Sequence, residues 1–289
     1  MVHSKHWGKT RGEFAFLSKI KTAESLPAQL GYDSRLVMNR FGEFYICIPM
    51  PLEVRAENQG PTFSTAREEE GYGVIALDPG VRTFMTGYDP SGLAIEWGKN
   101  DVARIYRLCH AYDEIQSKRD KIHGRQHKRK RYKLHRAMLR IHKKIRCLVD
   151  ECHRKLAKWL CERYRIVLLP QFQTQQMVRR GRRRIRSKTA RAMCTWSHYR
   201  FRQHLINKAR EYPWCRIIHC TEEYTSKTCG HCGRIHRGLG GSKVFRCPDC
   251  KSELDRDING ARNILLRYLT VDRPREPVNA GVGAYPLGL

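Results

Sequence analysis

Acidic residues are scarce in this chain. Only 28 Asp and Glu stand against 56 Lys and Arg among 289 residues, which leaves a formal net charge of +28. Solubility needs far less, so the imbalance excludes a cationic partner and implies one that carries many negative charges. Long hydrophobic runs are missing too. No stretch reaches the roughly 18 apolar residues of a membrane-spanning helix, and no N-terminal signal with an apolar centre is found. The expectation is therefore an intracellular protein with no membrane partner: in the nucleus of a eukaryotic host, where basic runs serve as an address, and otherwise in the cytoplasm. A disulfide framework is also absent. Cys47, Cys109, Cys147, Cys152, Cys161, Cys194, Cys215 and Cys220 fall among apolar or helical residues without regular spacing, which predicts that most are small core residues. With 40% of residues apolar, the chain is long enough for one large core and one or two small appendages.

Along the chain, Arg35 to Met50 reads as two short strands around Asn39-Arg40-Phe41-Gly42, and Glu53 to Gly71 as a Glu-, Pro-, Ser- and Gly-rich linker. GYGVIALDPGVRTFMTGYDPSG then gives a β-hairpin: an apolar run Val74 to Leu77, a Pro-Gly turn and a second run Thr83 to Tyr88, with Asp78 at the end of the first strand. A third strand is expected at Leu93 to Trp97. From Asp101 to Arg163 apolar residues recur at helical spacing with Gly124 as the one strong breaker, predicting two long helices. Their polar faces carry Arg125, Lys128, Arg129, Lys130, Arg131, Lys143 and Lys144. Such charges repel one another unless phosphates lie against them. A second basic run, VRRGRRRIR, supplies Arg179, Arg180, Arg182, Arg183, Arg184 and Arg186 as a further nucleic-acid contact, a disordered arm or a nuclear address. Helix is expected again over Ala192 to Glu211, with Trp196, Tyr199, Phe201 and Leu205 inward, and a strand over Cys215 to Tyr224.

CGHC, fourteen residues, and CPDC place Cys229, Cys232, Cys247 and Cys250 in a C-x2-C…C-x2-C pattern. Each close pair sits on a tight turn that can aim two thiolates at one ion, and four thiolates satisfy tetrahedral Zn2+ while leaving no open position for water. The zinc site is therefore read as structural. Downstream, DRDINGARNILLRYL has a helical apolar face with Asp255 and Asp257 at its start. Capping alone accounts for Asp at a helix N-terminus. Together with Asp78, however, these are hard oxygen donors of the kind Mg2+ prefers, and two such ions about 3.5 to 4 Å apart can drive phosphodiester hydrolysis. A third carboxylate is wanted. The strand VLLPQFQ ends in Pro170 and Gln171, which offer none.

ALDPGVRTF, LPQFQTQQMV with KTARAMCTWSHYRFRQHL, EEYTSKTCGHCG and CPDCKSELDRDINGARNI together resemble the RuvC-type core of the transposon-encoded RNA-guided nucleases (TnpB) and, more closely, their eukaryotic relatives, the Fanzor proteins. The similarity runs from about Gly73 to Leu269. It implies an α/β, RNase H-like mixed sheet with an inserted helical hairpin and zinc ribbon, preceded by a small β-barrel remnant. The expected division is 1–70 for the β-rich N-terminal segment and linker, and 71–222 for the nuclease core with its basic hairpin at about 101–163. The zinc ribbon follows at 223–254, then the last core helix at 255–270 and a tail at 271–289.

The resemblance further implies RNA-guided, Mg2+-dependent DNA cleavage, with guide RNA and target DNA as partners and base pairing reading the sequence. Asp78 corresponds to the first catalytic aspartate and Asp257 to the last. Most transposon-encoded members carry the middle glutamate where Pro170 and Gln171 stand, whereas Fanzor-like members move it to the strand before the ribbon. HCTEEYTSKTC offers Glu222 and Glu223 there. Strand alternation puts the two on opposite faces, and Glu222 shares its face with Ile218 and Cys220, so Glu222 is the expected ligand and Glu223 the reserve. The competing expectation is a remnant that binds guide RNA and DNA without cutting. A transposase that joins strands itself has only the fold type in its favour.

Overall fold

The structure is a computed structural model, and it describes residues 23–25, 31–52, 73–172, 174–179, 181, 183, 185–221 and 223–270. Chain contacts divide it into two compact units, Met1–Met50 and Pro51–Leu289. In the first unit, β1 (Arg35–Met38) pairs antiparallel with β2 (Phe44–Cys47). Asn39 closes their turn, its Oδ1 accepting from the Phe41 and Glu43 amides at 2.8 and 3.1 Å. This is the expected strand pair. Among the described residues these two strands pair only with each other and do not form a barrel, and the expected linker at Glu53 to Gly71 lies outside the described residues.

The second unit is a mixed α/β structure. Its main strands are β3 (Val74–Pro79), β4 (Met85–Tyr88), β5 (Ala94–Trp97), β6 (Ile166–Pro170) and β7 (Arg216–Cys220), arranged in the order β5-β4-β3-β6-β7. The β3-β4-β5 meander is antiparallel, while β6 runs parallel to β3 and β7 parallel to β6. The expected mixed sheet is present, and it is consistent with a RuvC-like fold. Strand periodicity sorts the side chains onto two faces. Ile75, Leu77, Val167, Leu169 and Ile217 face one core, beneath the helices described next. Val74, Ala76, Leu168, Ile218 and Cys220 face a second, closed by Ile264 and Leu265 of the last helix.

Between β5 and β6 the chain forms the expected hairpin, α1 (Asp101–Asp120) and α2 (Lys128–Arg163), broken at Gly124, whose φ of 92° is the left-handed region that glycine enters without steric cost. Near the sheet the hairpin is apolar and buried, with Ile105, Val149, Leu156 and Leu160 at most 3% exposed. Residues 121–149 contain no Asp or Glu at all. Toward the sheet, α2 neutralises its cations internally through Lys155–Glu151, Arg146–Asp150 and Lys158–Glu162. Five of the eight unpatterned cysteines are buried, namely Cys109, Cys152, Cys161, Cys215 and Cys220, and three are exposed.

After β6 come α3 (Thr174–Val178), α4 (Ser187–Trp196) and α5 (His198–Ala209). The single helix expected over Ala192 to Glu211 is in fact two, separated by Ser197 at φ 52°, and Tyr199 is 65% exposed instead of inward. The reason is packing. Trp196 and Phe201 both belong to the ring cluster around Phe84, at centroid distances of 4.9 and 5.2 Å. Five residues of continuous helix turn them about 140° apart, and the left-handed break lets both reach it.

The same cluster holds the loop that follows Asp78. Trp196 Nε1 donates to Val81 O at 3.0 Å, and His153 and His198 stack on Phe84 at 4.9 and 5.0 Å. Trp196→Ala should cost about 3–5 kcal/mol, read as a drop in the denaturant midpoint; a loss below about 1 kcal/mol would contradict this packing. Burial also keeps both histidines neutral, His153 pushed down to about 3 and His198 to about 4 from an ordinary 6.5. Below pH 6.5 the unfolded chain takes up protons that the folded chain refuses. Stability is therefore full above that pH and falls as pH drops, by about 2 kcal/mol per histidine at pH 5. Denaturation midpoints that stay level between pH 7 and pH 5 would refute this.

Candidate active cleft and four-cysteine cluster

The last helix, α6 (Arg256–Thr270), starts where β9 (Glu253–Asp255) ends, and β9 pairs antiparallel with β8 (Val244–Arg246). The two roles left open for the aspartates separate here. Asp255 is the cap: its Oδ1 accepts from the amides of Asp257 and Ile258 at 3.0 and 3.2 Å. Asp257, two residues on, instead lines a cleft of about 380 Å³ together with Asp78.

Asp78 follows Val74 and Ala76 on the sheet face beneath α6, and it stands opposite Thr86 of β4. Its carboxylate lies directly against α6 at Gly260. A Cβ built on that glycine would fall 2.4 Å from Asp78 Oδ2, so any larger residue would force the carboxylate or the helix to shift. Gly260 is three residues beyond Asp257, on the same helix face. One helix thus packs on the first aspartate and carries the last.

Burial, and next the neighbouring Asp255 charge, raise the Asp257 carboxyl above its ordinary value, while Lys243 and Arg256 act in the opposite direction. An ionised Asp257 is therefore costly in the fold unless a cation joins it. Asp257→Asn should raise the melting temperature of the metal-free protein near neutral pH, because the amide carries no charge to desolvate; a lowered melting temperature would contradict this.

Three cations that sequence reasoning missed, Arg82, Lys243 and Arg256, line the same cleft. Lys243 Nζ bridges Glu96 Oε1 of β5 at 3.1 Å and Asp255 Oδ2 at 3.4 Å, so it ties the sheet to the α6 cap. Glu96 stands opposite Thr86, in one cross-strand row with Asp78. Hydrogen bonds from Lys99 and Lys243 hold its carboxyl below the ordinary range, against its partial burial. The sequence signal for Glu96 was its alternation within Ala94–Trp97. Lys243, in an exposed Gly-Gly-Ser-Lys loop, carried none.

Glu222 lies outside the described residues. Strand β7 ends at Cys220, short of the expected Tyr224, so alternation does not extend to the two glutamates. Glu223 is exposed and faces Arg267 of α6, 3.7 Å from its Nη2, and it is not among the residues of the cleft. Pro170 ends β6 and is buried, Gln171 is exposed, and Phe172 lines the cleft. Among the basic residues, Arg125, Lys128, Arg129, Lys130, Arg131 and Lys144 are exposed at the hairpin tip and Lys143 is half-buried. In the second run Arg179 and Arg186 are exposed, and Arg183 donates to Ser187 Oγ at 2.6 Å. Arg180, Arg182 and Arg184 lie outside the described residues. A larger hollow of about 440 Å³ lies away from the aspartates, between the hairpin and α4. Its arginines already engage acids, Arg191 pairing with Asp113 and Arg200 with Asp150.

The four sulfurs of Cys229, Cys232, Cys247 and Cys250 all lie within 4.8 Å of one another. Tetrahedral zinc with Zn–S bonds of about 2.3 Å requires sulfurs about 3.8 Å apart, and Cys229–Cys250 and Cys232–Cys247 stand at 3.7 and 3.6 Å. Each pair is followed by a left-handed residue, Gly233 at φ 77° and Lys251 at φ 59°, which turns the chain back after the second sulfur. Burial opposes the Cys229 thiolate, yet hydrogen bonds from Ser252 and the backbone of the turn outweigh it and bring the thiol down to about 6. Donor set and spacing both suit a zinc ion.

The chain thus joins a mixed sheet consistent with a RuvC-like fold, two aspartates at one cleft and a four-cysteine cluster. Residues 198–264 match the Cas12f1-like TNB domain family. The chain is 34% identical over 212 residues to the A625R protein of Paramecium bursaria Chlorella virus 1, a candidate transposase, covering 73% of this chain and 47% of that one. It is 27% identical over 213 residues to the TnpB-like protein L79 of Acanthamoeba polyphaga mimivirus, covering 71% and 38%. Over 83 residues it is 36% identical to the CRISPR-associated endodeoxyribonuclease Cas12f1 of Sulfoacidibacillus thermotolerans, 28% of this chain and 19% of that. The chain spans about half or less of the length of these relatives. Its similarity is to the TnpB-like transposase family.

Proposed function

We propose that the chain is a TnpB-like, RNA-guided DNA endonuclease of the Fanzor type that hydrolyses phosphodiester bonds in the Asp78–Asp257 cleft. The observation that carries this reading is the contact between α6 and Asp78 at Gly260, one turn from Asp257. It sets two aspartates at one cleft in a family-like sheet. Similarity to TnpB-like proteins and to a Cas12f1 endodeoxyribonuclease supports it.

In this reading Asp78 and Asp257, with Glu222 as third ligand, hold Mg2+, and the half-buried, desolvated state of Asp257 favours a cation there. When bound, Mg2+ supplies an acidified water as nucleophile and charge stabilisation for the leaving oxygen. Arg82 at the cleft would take a phosphate oxygen, while Lys243 and Arg256 are engaged by Glu96, Asp255 and Gly240 and add positive potential beside it. The four cysteines hold a structural Zn2+. Guide RNA and target DNA lie against the hairpin tip, where residues 121–149 offer cations and no acid.

The test is to purify the protein with its flanking locus, sequence the RNA that copurifies, and assay the complex for Mg2+-dependent cutting. Absence of both RNA and cutting would overturn the proposal. The second reading, a remnant that binds without cutting, is favoured by Pro170 and Gln171 at the end of β6 and by Glu223 facing Arg267. RNA recovered without any cutting would select it. Binding should fall steeply with salt in either case, about 10³-fold or more between 50 and 200 mM if six or more phosphates are contacted. A flat dependence would remove the phosphate role from the hairpin.

A further inference from the structure

Two buried asparagines join the four-cysteine cluster to the helix that carries Asp257. Asn259 and Asn263 are 2% and 5% exposed and stand one turn apart on α6. Asn259 Oδ1 accepts from the Gly230 amide at 2.9 Å, and its Nδ2 donates to Thr228 O at 2.8 Å. Asn263 Nδ2 donates to Thr225 O at 2.8 Å and to Thr228 O at 2.7 Å. These backbone groups flank Cys229, whose own amide and carbonyl are tied into the turn by Arg234 O and the Gly233 amide. From the other half of the cluster, the Arg256 amide donates to Lys243 O at 2.8 Å and Arg256 Nη1 to Gly240 O at 2.7 Å.

The grip is uneven along the helix. Ala261, Ile264 and Leu265 are buried, the last two in the apolar core beneath α6. The first turn, with Asp257, is held chiefly by polar contacts to the backbone that the cysteines shape. Without an ion the four thiols would have no common ligand, and the turn around Cys229 would be held by its backbone hydrogen bonds and Ser252 alone. The apolar part of α6 would then stay in place while Asp257 moved.

We propose that Asn259 and Asn263 are positioning residues through which zinc in the four-cysteine site sets the Asp78–Asp257 geometry, so that loss of zinc disables cation binding by the aspartates. This rests on the nuclease reading. The expected effect follows from the behaviour of groups that orient metal ligands, whose removal weakens metal binding about 10- to 100-fold.

The test measures Mn2+ binding to the full chain by electron paramagnetic resonance, with Mn2+ standing for Mg2+ because thiolates disfavour it. Asp78→Ala is the reference. If Asp78→Ala binds Mn2+ like the natural protein, the nuclease reading fails and the positioning role falls with it. If Asp78→Ala loses Mn2+, the reading stands and Asn263→Ala decides the inference. We expect Asn263→Ala to keep its zinc, measured by atomic emission, and its copurifying RNA, while Mn2+ affinity drops at least about tenfold. The Mg2+ concentration for half-maximal cutting should rise in step. Zinc-stripped natural protein should show the same Mn2+ loss, an arm that holds even if the variant folds poorly. Unchanged Mn2+ affinity after zinc stripping, or in zinc-replete Asn263→Ala, would overturn the inference.

Discussion

Asp78→Ala should abolish DNA cutting while leaving RNA binding nearly intact. Asp78 lies one residue before the end of β3 on the face beneath α6, at the wall of the cleft. The basic hairpin tip lies on a separate element, α2, so removing one carboxylate should leave the charges that hold RNA in place. The size of the loss follows from what a bound divalent cation supplies, several kcal/mol of transition-state stabilisation. About 4 kcal/mol corresponds to about three orders of magnitude in rate. Cleavage of a matched target at equal Mg2+ is the measurement, with copurified RNA as control. Equal cutting by the variant would sink the assignment of Asp78.

Gly260→Ala should be nearly as damaging, although alanine is the better helix former. Intrinsic propensity favours alanine by about 1 kcal/mol in a helix interior. The added Cβ, however, would sit 2.4 Å from Asp78 Oδ2 and 3.3 Å from its Cγ, and the clash must be relieved by turning the carboxylate or lifting the first part of α6. Overpacking of this kind costs about 1–3 kcal/mol, so the net stability change should be small, about 0–2 kcal/mol. Activity should fall more, about 100-fold, because a displacement near 1 Å at a reacting centre has that effect. Measuring the melting curve and the cutting rate on one preparation separates the two. A variant that cuts at the natural rate would show that the Asp78–α6 contact has no part in catalysis.

Much of the fold was legible because its signals are local. The Val74 to Leu77 run, the hairpin period around Gly124 and the paired C-x2-C turns each declare themselves within a few residues. Ser197 was not legible, since nothing marks a serine as a left-handed break; the distant Phe84 cluster requires it. The exposed Tyr199 follows from that break. The roles of Asp255 and Asp257 were open in sequence because both types suit a helix start, and only the amides bonded to Asp255 separate them. Asn259 and Asn263 left a trace that went unread: polar residues four apart, facing inward on a helix that also buries Ile264. Lys243 and Glu96 meet only when the segment leading into β8 folds back to the sheet edge.

The position of α6 in the chain also bears on how the molecule is made. The apolar face formed by Val74, Ala76, Leu168, Ile218 and Cys220 is complete once β7 has been synthesised, but its cover, Ile264 and Leu265, leaves the ribosome only after the segment with β8, β9 and the four cysteines has emerged. Contacts so distant in sequence form slowly, and an uncovered apolar sheet face invites association in the interval. A nascent chain halted before residue 256 should therefore be aggregation-prone.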